Sequence, residues 1–110
     1  MTLSQRPDGV TASPRPASNR YTWHPSVDAL ASSALDILPA TSIIGVLLTG
    51  MGNDGAEAMT EIHKRGGKTI AQSERCCTVF GMPKELIQRG GASLVMDVER
   101  IAPQIAQWLR

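Results

Sequence analysis

Asp54 is the one carboxylate in a glycine-rich turn, Leu48-Thr49-Gly50-Met51-Gly52-Asn53-Asp54-Gly55, that follows an apolar run and opens into a helix. Residues of these types support two kinds of chemistry. Backbone N–H groups freed at a helix start can hold an anion or a developing oxyanion. A carboxylate in the same turn can orient a catalytic base, or it can simply cap a helix by accepting free N–H groups. The residue types alone leave both roles open. Phosphate binding is the weaker reading. The turn matches neither G-x-x-x-x-G-K-[ST] nor G-x-G-x-x-G, and it lacks a phosphate-binding lysine.

An acid of this kind needs a nucleophile and a base, and the chain offers no convincing candidate for either. None of its serines sits in a G-x-S-x-G elbow. Ser26 reads as a helix-end hydrogen-bonding residue. His63 lies about two turns into the helix after the loop, so its ring is expected on a solvated face away from Asp54. Cys76 and Cys77 are adjacent, which strains a disulfide, and no other ligands stand at zinc spacing. They read as two reduced thiols, Cys77 as a small buried apolar group. A papain-like role for either would need a histidine partner that the sequence does not place.

The elements that must position the turn come next. Met1 to Arg20 is rich in Ser, Pro and Arg and reads as a disordered tail or linker remnant. That leaves about 90 residues for one small domain, residues 21–110. Val27, Leu30, Ala31, Ala34, Leu35 and Leu38 fall at helical spacing, with Pro25 suited to the first turn and Pro39 ending the run. Ile43 to Leu48 reads as a strand covered on both faces and central in its sheet. Ala56 to Arg65 is a helix with Met59 and Ile62 on one side, stopped by Gly66-Gly67. Lys68 to Gln72 is a second strand, Ser73 to Met82 a loop, Pro83 to Gln88 a short helix and Leu94 to Met96 a third strand. Asp97 is placed to cap a last helix carrying Ile101, Ile105 and Leu109 on one face. The order α-β-α-β-α-β-α predicts a parallel sheet, the C-terminal half of a doubly wound, Rossmann-like α/β domain. Three apolar strands leave faces and edges in need of cover, which predicts self-association, a partner or a loosely packed monomer.

Charge and composition exclude several partners. Charged residues are 19%, the net charge is +1 and aromatics are 4%. That balance gives no electrostatic case for nucleic acid and too few rings for a base-stacking platform. No apolar run is long enough for membrane insertion, and no secretory h-region is present, which predicts a cytoplasmic protein.

Leu47 to Ala56 resembles the signature of the catalytic domain of bacterial chemotaxis protein-glutamate methylesterases, the CheB family. His24-Pro25-Ser26-Val27-Asp28, Thr69-Ile70-Ala71-Gln72 and Cys77-Thr78-Val79-Phe80-Gly81-Met82-Pro83 resemble the same family in the same order, over about residues 24 to 110. Cys76 departs from the small or hydroxylated residue usual there. The resemblance implies a doubly wound α/β domain that hydrolyses glutamate methyl esters on chemoreceptor cytoplasmic regions. Many members also deamidate glutamine. The implied mechanism is a Ser-His-Asp triad with no metal and no cofactor. Asp54 matches the triad acid, and Met51 matches the position whose backbone N–H contributes to the oxyanion site. The family's nucleophilic serine and histidine precede the matched stretch, so this chain is expected to carry neither of them and no receiver domain.

Two functions therefore stand. The first is part of an enzyme, supplying Asp54 and an oxyanion donor to a Ser and His on a complementary N-terminal half, with methylated chemoreceptor as substrate. The second is a degenerate, non-catalytic interaction or oligomerisation module of the same fold.

Overall fold

The computed structural model describes residues 1–14 and 26–110. Its first feature corrects the disordered-tail reading of residues 1–20 for the part from Thr2 to Ser13. Thr2–Arg6 (β1) and Gly9–Ser13 (β2) pair as an antiparallel hairpin, with Arg6 opposite Gly9. The cause is local. Pro7 presets the first turn position, and Gly9 takes a φ of 135° that a side chain would resist. A lone hairpin is marginal in water. This one is held against the first helix, where the Leu3 N–H donates to Ser33 Oγ at 2.7 Å. Residues 15–20, and Pro25 with them, lie outside the described residues.

The apolar spacing from Val27 onward forms α1, Val27–Ile37, with Ala31 and Ala34 buried. Ser26 is its N-cap, and Ser26 Oγ accepts from the Ala29 N–H at 3.1 Å. One of the unpaired donors at the helix start is satisfied in this way. The chain then enters a parallel sheet of β3 (Ile44–Leu47), β4 (Lys68–Gln72) and β5 (Leu94–Met96), in that lateral order. Ile44 pairs with Lys68 and Ile70 with Leu94. The crossovers are α2 (Ala56–Lys64) and α3 (Met82–Gln88), and α4 (Val98–Trp108) follows β5. This is the expected α/β order, and the alternation of short strands with helices is its cause.

Two placements differ from the sequence reading. The strand before the glycine turn, β3, is an edge of the sheet among the described residues, and β4 is the middle strand. The apolar run of β3 exceeds that of β4, yet burial follows neighbours rather than hydropathy. Thr69 to Gln72 are buried between two strands and under helices, while Ile44, Gly45 and Val46 are half-buried. In α4, Ile101 is buried but Leu109 is 72% exposed, because it lies past the last helical turn as the C-cap. No helix among the described residues is long and apolar enough to cross a membrane.

Leu47, Met59, Ile62, Ala71 and Leu86 make the centre of the apolar core, and Ile70 is fully buried in β4. Truncating Ile70 to alanine removes buried atoms and leaves a cavity, with an expected loss of about 2–5 kcal/mol. Urea denaturation checks this. The exposed Val79→Ala is expected to change stability by less than about 0.5 kcal/mol under the same conditions.

Asp97 occupies the N-cap position of α4 but makes no side-chain cap bond. Its carboxylate is engaged across the sheet instead, accepting from Ser73 Oγ and pairing with Arg75 at 2.7 Å. The Ser73 hydrogen bond, with smaller help from the Cys76 thiol and then the Arg75 and Arg100 charges, holds the Asp97 carboxyl below the usual carboxylate range. A folded pKa below the unfolded one stabilises the fold above the unfolded value, and that contribution is lost as pH falls through the folded value. Asp97→Asn is therefore expected to be less stable than the parent at neutral pH. The two should converge in urea midpoint well below pH 3.8, the ordinary value of the group.

Candidate active site

The glycine turn leaves the carboxyl end of β3, where open α/β sheets bind their ligands. Hydrogen bonds to neighbouring loops fix its path. The Thr49 N–H donates to Gln72 Oε1 at 2.8 Å, and Gln72 Nε2 donates to the Cys76 carbonyl at 2.9 Å. Gln72 is buried and ties two loops to the end of β4. The Gly50 N–H donates to the Val79 carbonyl, and the Gly50 carbonyl accepts from Gly81 and Met82 at 3.1 and 2.9 Å. Gly81 permits this approach, since a Cβ there would stand 2.7 Å from the Gly50 oxygen and 2.9 Å from the Gly52 nitrogen. Gly52 and Gly55 take φ near 90°, the left-handed region that a side chain disfavours.

Within this frame Met51 is held by its backbone neighbours while its side chain is 71% exposed. Its N–H has no hydrogen-bond partner among the described residues, unlike that of Gly50. A fixed, unpaired N–H is what an oxyanion site requires.

Asp54 is 6% exposed, and its carboxylate points away from the helix it precedes. Oδ2 accepts from the Val27 N–H at 2.6 Å. Oδ1 accepts from the Asp28 N–H at 3.0 Å and from Ser26 Oγ at 3.1 Å. Asp54 thus caps α1, whereas the sequence places it at the start of α2. The N-cap of α2 is Gly55, with no side chain to offer. A carboxylate accepts about four hydrogen bonds, so one acceptor position on Oδ2 remains beyond these three. Asp54 also lines a groove of about 910 Å³ with Ser26, Asp28, Asn53 and Glu57.

The other sequence candidates stand elsewhere. His63 is half-buried rather than on a solvated face, and its Nδ1 lies 3.0 Å from Ser93 Oγ. Ser93 is fixed in turn by the Thr69 N–H, so the pair ties the end of α2 to the sheet at the end opposite the glycine turn. Cys76 and Cys77 are free and half-buried. Partial burial pushes the Cys77 thiol up, and its Sγ donates to the Gln72 carbonyl at 3.7 Å. His24 is outside the described residues. Sequence reasoning missed the contacts of Ser26 and Asp28 with Asp54. The signal was present in His24-Pro25-Ser26-Val27-Asp28, where two polar residues flank the start of an apolar helix face.

Comparison with known proteins accords with this geometry. The profile of the CheB methylesterase family matches residues 1–105. The match reaches back over the β1–β2 hairpin, beyond the stretch from residue 24 that the motifs outline. Protein-glutamate methylesterase/protein-glutamine glutaminase 3 of Rhodospirillum rubrum is 54% identical over 107 residues, 97% of this chain and 29% of that protein. A relative of the same activity name from Carboxydothermus hydrogenoformans is 50% identical over 101 residues, 92% of this chain and 28% of that protein. The crystal structure of the Thermotoga maritima CheB methylesterase catalytic domain superposes with a TM-score of 0.88 at 30% identity, covering 97% of this chain and 56% of that one. The fold is that of part of an α/β methylesterase catalytic domain. The chain belongs to the CheB methylesterase family, and it spans a little under a third of the length of these curated relatives.

Proposed function

We propose that this chain supplies the acid and one oxyanion donor of a protein-glutamate methylesterase whose nucleophilic serine and histidine lie on a complementary N-terminal half. One observation carries the reading. Asp54 is buried, held by three donors from one side, and left with acceptor capacity on Oδ2 for one more N–H. An imidazole N–H fits that remaining position, as the third member of a triad requires.

The reaction then runs in two steps. The serine hydroxyl attacks the glutamyl ester carbonyl and passes its proton to the histidine, while Asp54 orients the ring and stabilises the imidazolium. The tetrahedral oxyanion takes the Met51 N–H. Collapse breaks the ester C–O bond, and the histidine returns the proton to the departing methoxide as methanol. Water, deprotonated by the same histidine, attacks the acyl-serine; the C–O bond to serine breaks, the histidine returns the proton to the serine oxygen, and a free glutamate side chain is released. With glutamine as substrate the leaving group is ammonia, in keeping with the glutaminase in the relatives' names. The substrate is a methylated chemoreceptor segment, and the working compartment is the cytoplasm.

The non-catalytic alternative has one observation in its favour: β3 pairs on one side only among the described residues, an open edge suited to another strand. Methanol release from methylated receptor separates the two. The chain alone is expected to be silent and its mixture with a family N-terminal half active. Silence in both, with the chain folded, supports the interaction module.

A further inference from the structure

Asp54 and Asp28 stand at the starts of two different helices, and each serves the other's helix. Asp54 precedes α2, yet its carboxylate accepts from the first N–H groups of α1, at 2.6 Å from Val27 and 3.0 Å from Asp28. Asp28 lies in the first turn of α1, yet its Oδ1 accepts from the Ala58 N–H of α2 at 2.9 Å. Helix starts leave donors unpaired, and the ordinary remedy is a side chain at the helix's own N-cap. Here α2 has Gly55 at that position and no side-chain cap of its own, so its first turn depends on Asp28. Ser26 closes the arrangement, accepting from the Ala29 N–H and donating to Asp54 Oδ1. Both carboxylates sit where helix dipoles favour negative charge.

We propose that Asp28 and Ser26 are positioning residues for the Asp54 carboxylate. The cross-cap locks α1 and α2 together at their starts and so fixes the direction of the free acceptor on Oδ2. Its consequence for catalysis rests on the reading of Asp54 as the triad acid. The clamp itself rests on the hydrogen bonds.

Amide exchange followed by NMR on the full chain separates a clamp from a local cap. Asp28→Ala removes the partner of the Ala58 N–H, so exchange there is expected to rise about tenfold. The clamp further requires the Val27 N–H, which Asp28 never touches with its side chain, to speed up by a similar factor. Asp28→Asn keeps an acceptor oxygen and is expected to hold both amides close to the parent rate. Faster exchange at Ala58 with Val27 unchanged, or failure of asparagine to rescue, would overturn the proposal. If Asp28→Ala raises exchange in buried β4 as well, it has unfolded, and Ser26→Ala against Ser26→Thr decides the matter. Alanine should then free both Ala29 and Val27 while threonine protects both. Val27 protected in Ser26→Ala would overturn the proposal equally. In the mixture with an N-terminal half, Asp28→Ala is expected to lower kcat with KM unchanged and Asp28→Asn to restore it. A silent parent mixture with coupled exchange intact would overturn the methylesterase reading and leave the clamp standing.

Discussion

Asp54→Ala is expected to lower methanol release by the reconstituted mixture about 10⁴-fold, the size of loss seen when a triad acid no longer orients its histidine. That factor corresponds to about 5.5 kcal/mol of transition-state stabilisation. The same substitution removes three hydrogen bonds at the start of α1, and the loss of such a cap costs about 1–2 kcal/mol of stability. Folded domains hold roughly 5–15 kcal/mol in reserve. The rate loss is therefore far too large to arise from unfolding, and urea denaturation of the variant shows which effect is at work. Asp54→Asn is no milder a change. Its Oδ1 can still accept from Ser26 and Asp28, but its NH₂ group would face the Val27 N–H, donor against donor, and its negative charge is gone. A variant at position 54 that stays folded and keeps near-parental activity would remove Asp54 from the mechanism.

Gly81→Ala tests the other half of the site. The backbone there has an ordinary φ of −111°, so space is the obstacle rather than conformation. A Cβ would stand 2.7 Å from the Gly50 carbonyl oxygen and 2.9 Å from the Gly52 nitrogen. Both are backbone atoms of the glycine turn and cannot swing aside as a side-chain tip can. The turn from Gly50 to Gly52 must shift, and the Met51 N–H shifts with it. Loss of one oxyanion donor costs about 10²- to 10³-fold in kcat, and a loss of that order is expected in the mixture. Overpacking of this kind also costs about 1–3 kcal/mol of stability, which denaturation measures separately. The signature is a fall in kcat at nearly constant KM. Full activity in Gly81→Ala would mean that the glycine turn does not define the oxyanion site.

What could be read from the sequence was whatever local spacing determines. Lys68–Gln72 and Leu94–Met96 form strands at the expected bounds, because glycine pairs isolate each short apolar run. Met59 and Ile62 are buried because a helix period puts them on one face. The hairpin over Thr2–Ser13 was hidden by composition. Ser, Pro and Arg make up nine of residues 1–20, while the turn signal in Pro7-Asp8-Gly9 occupies three residues. The partner of Asp54 was out of reach for a different reason. Its hydrogen bonds join residues 26 to 28 positions apart, and nothing in a single sequence says which helix start lies beside which loop. Asp97 is the same case, drawn from its own helix to Ser73 across 24 residues. Met51 was placed by resemblance to the family, since an unpaired N–H on an exposed loop leaves no trace in residue type.

On the proposed mechanism, this chain completes an active site whose nucleophile lies elsewhere. A serine-directed phosphonate tests it most directly, with the label mapped by mass spectrometry. Rapid labelling of the serine of an N-terminal half is expected only when this chain is present, with little labelling when Asp54→Ala replaces it and none on this chain's own serines. Hydrolysis by this chain alone, labelled on one of its own serines and unaffected by Asp54→Ala, would contradict it.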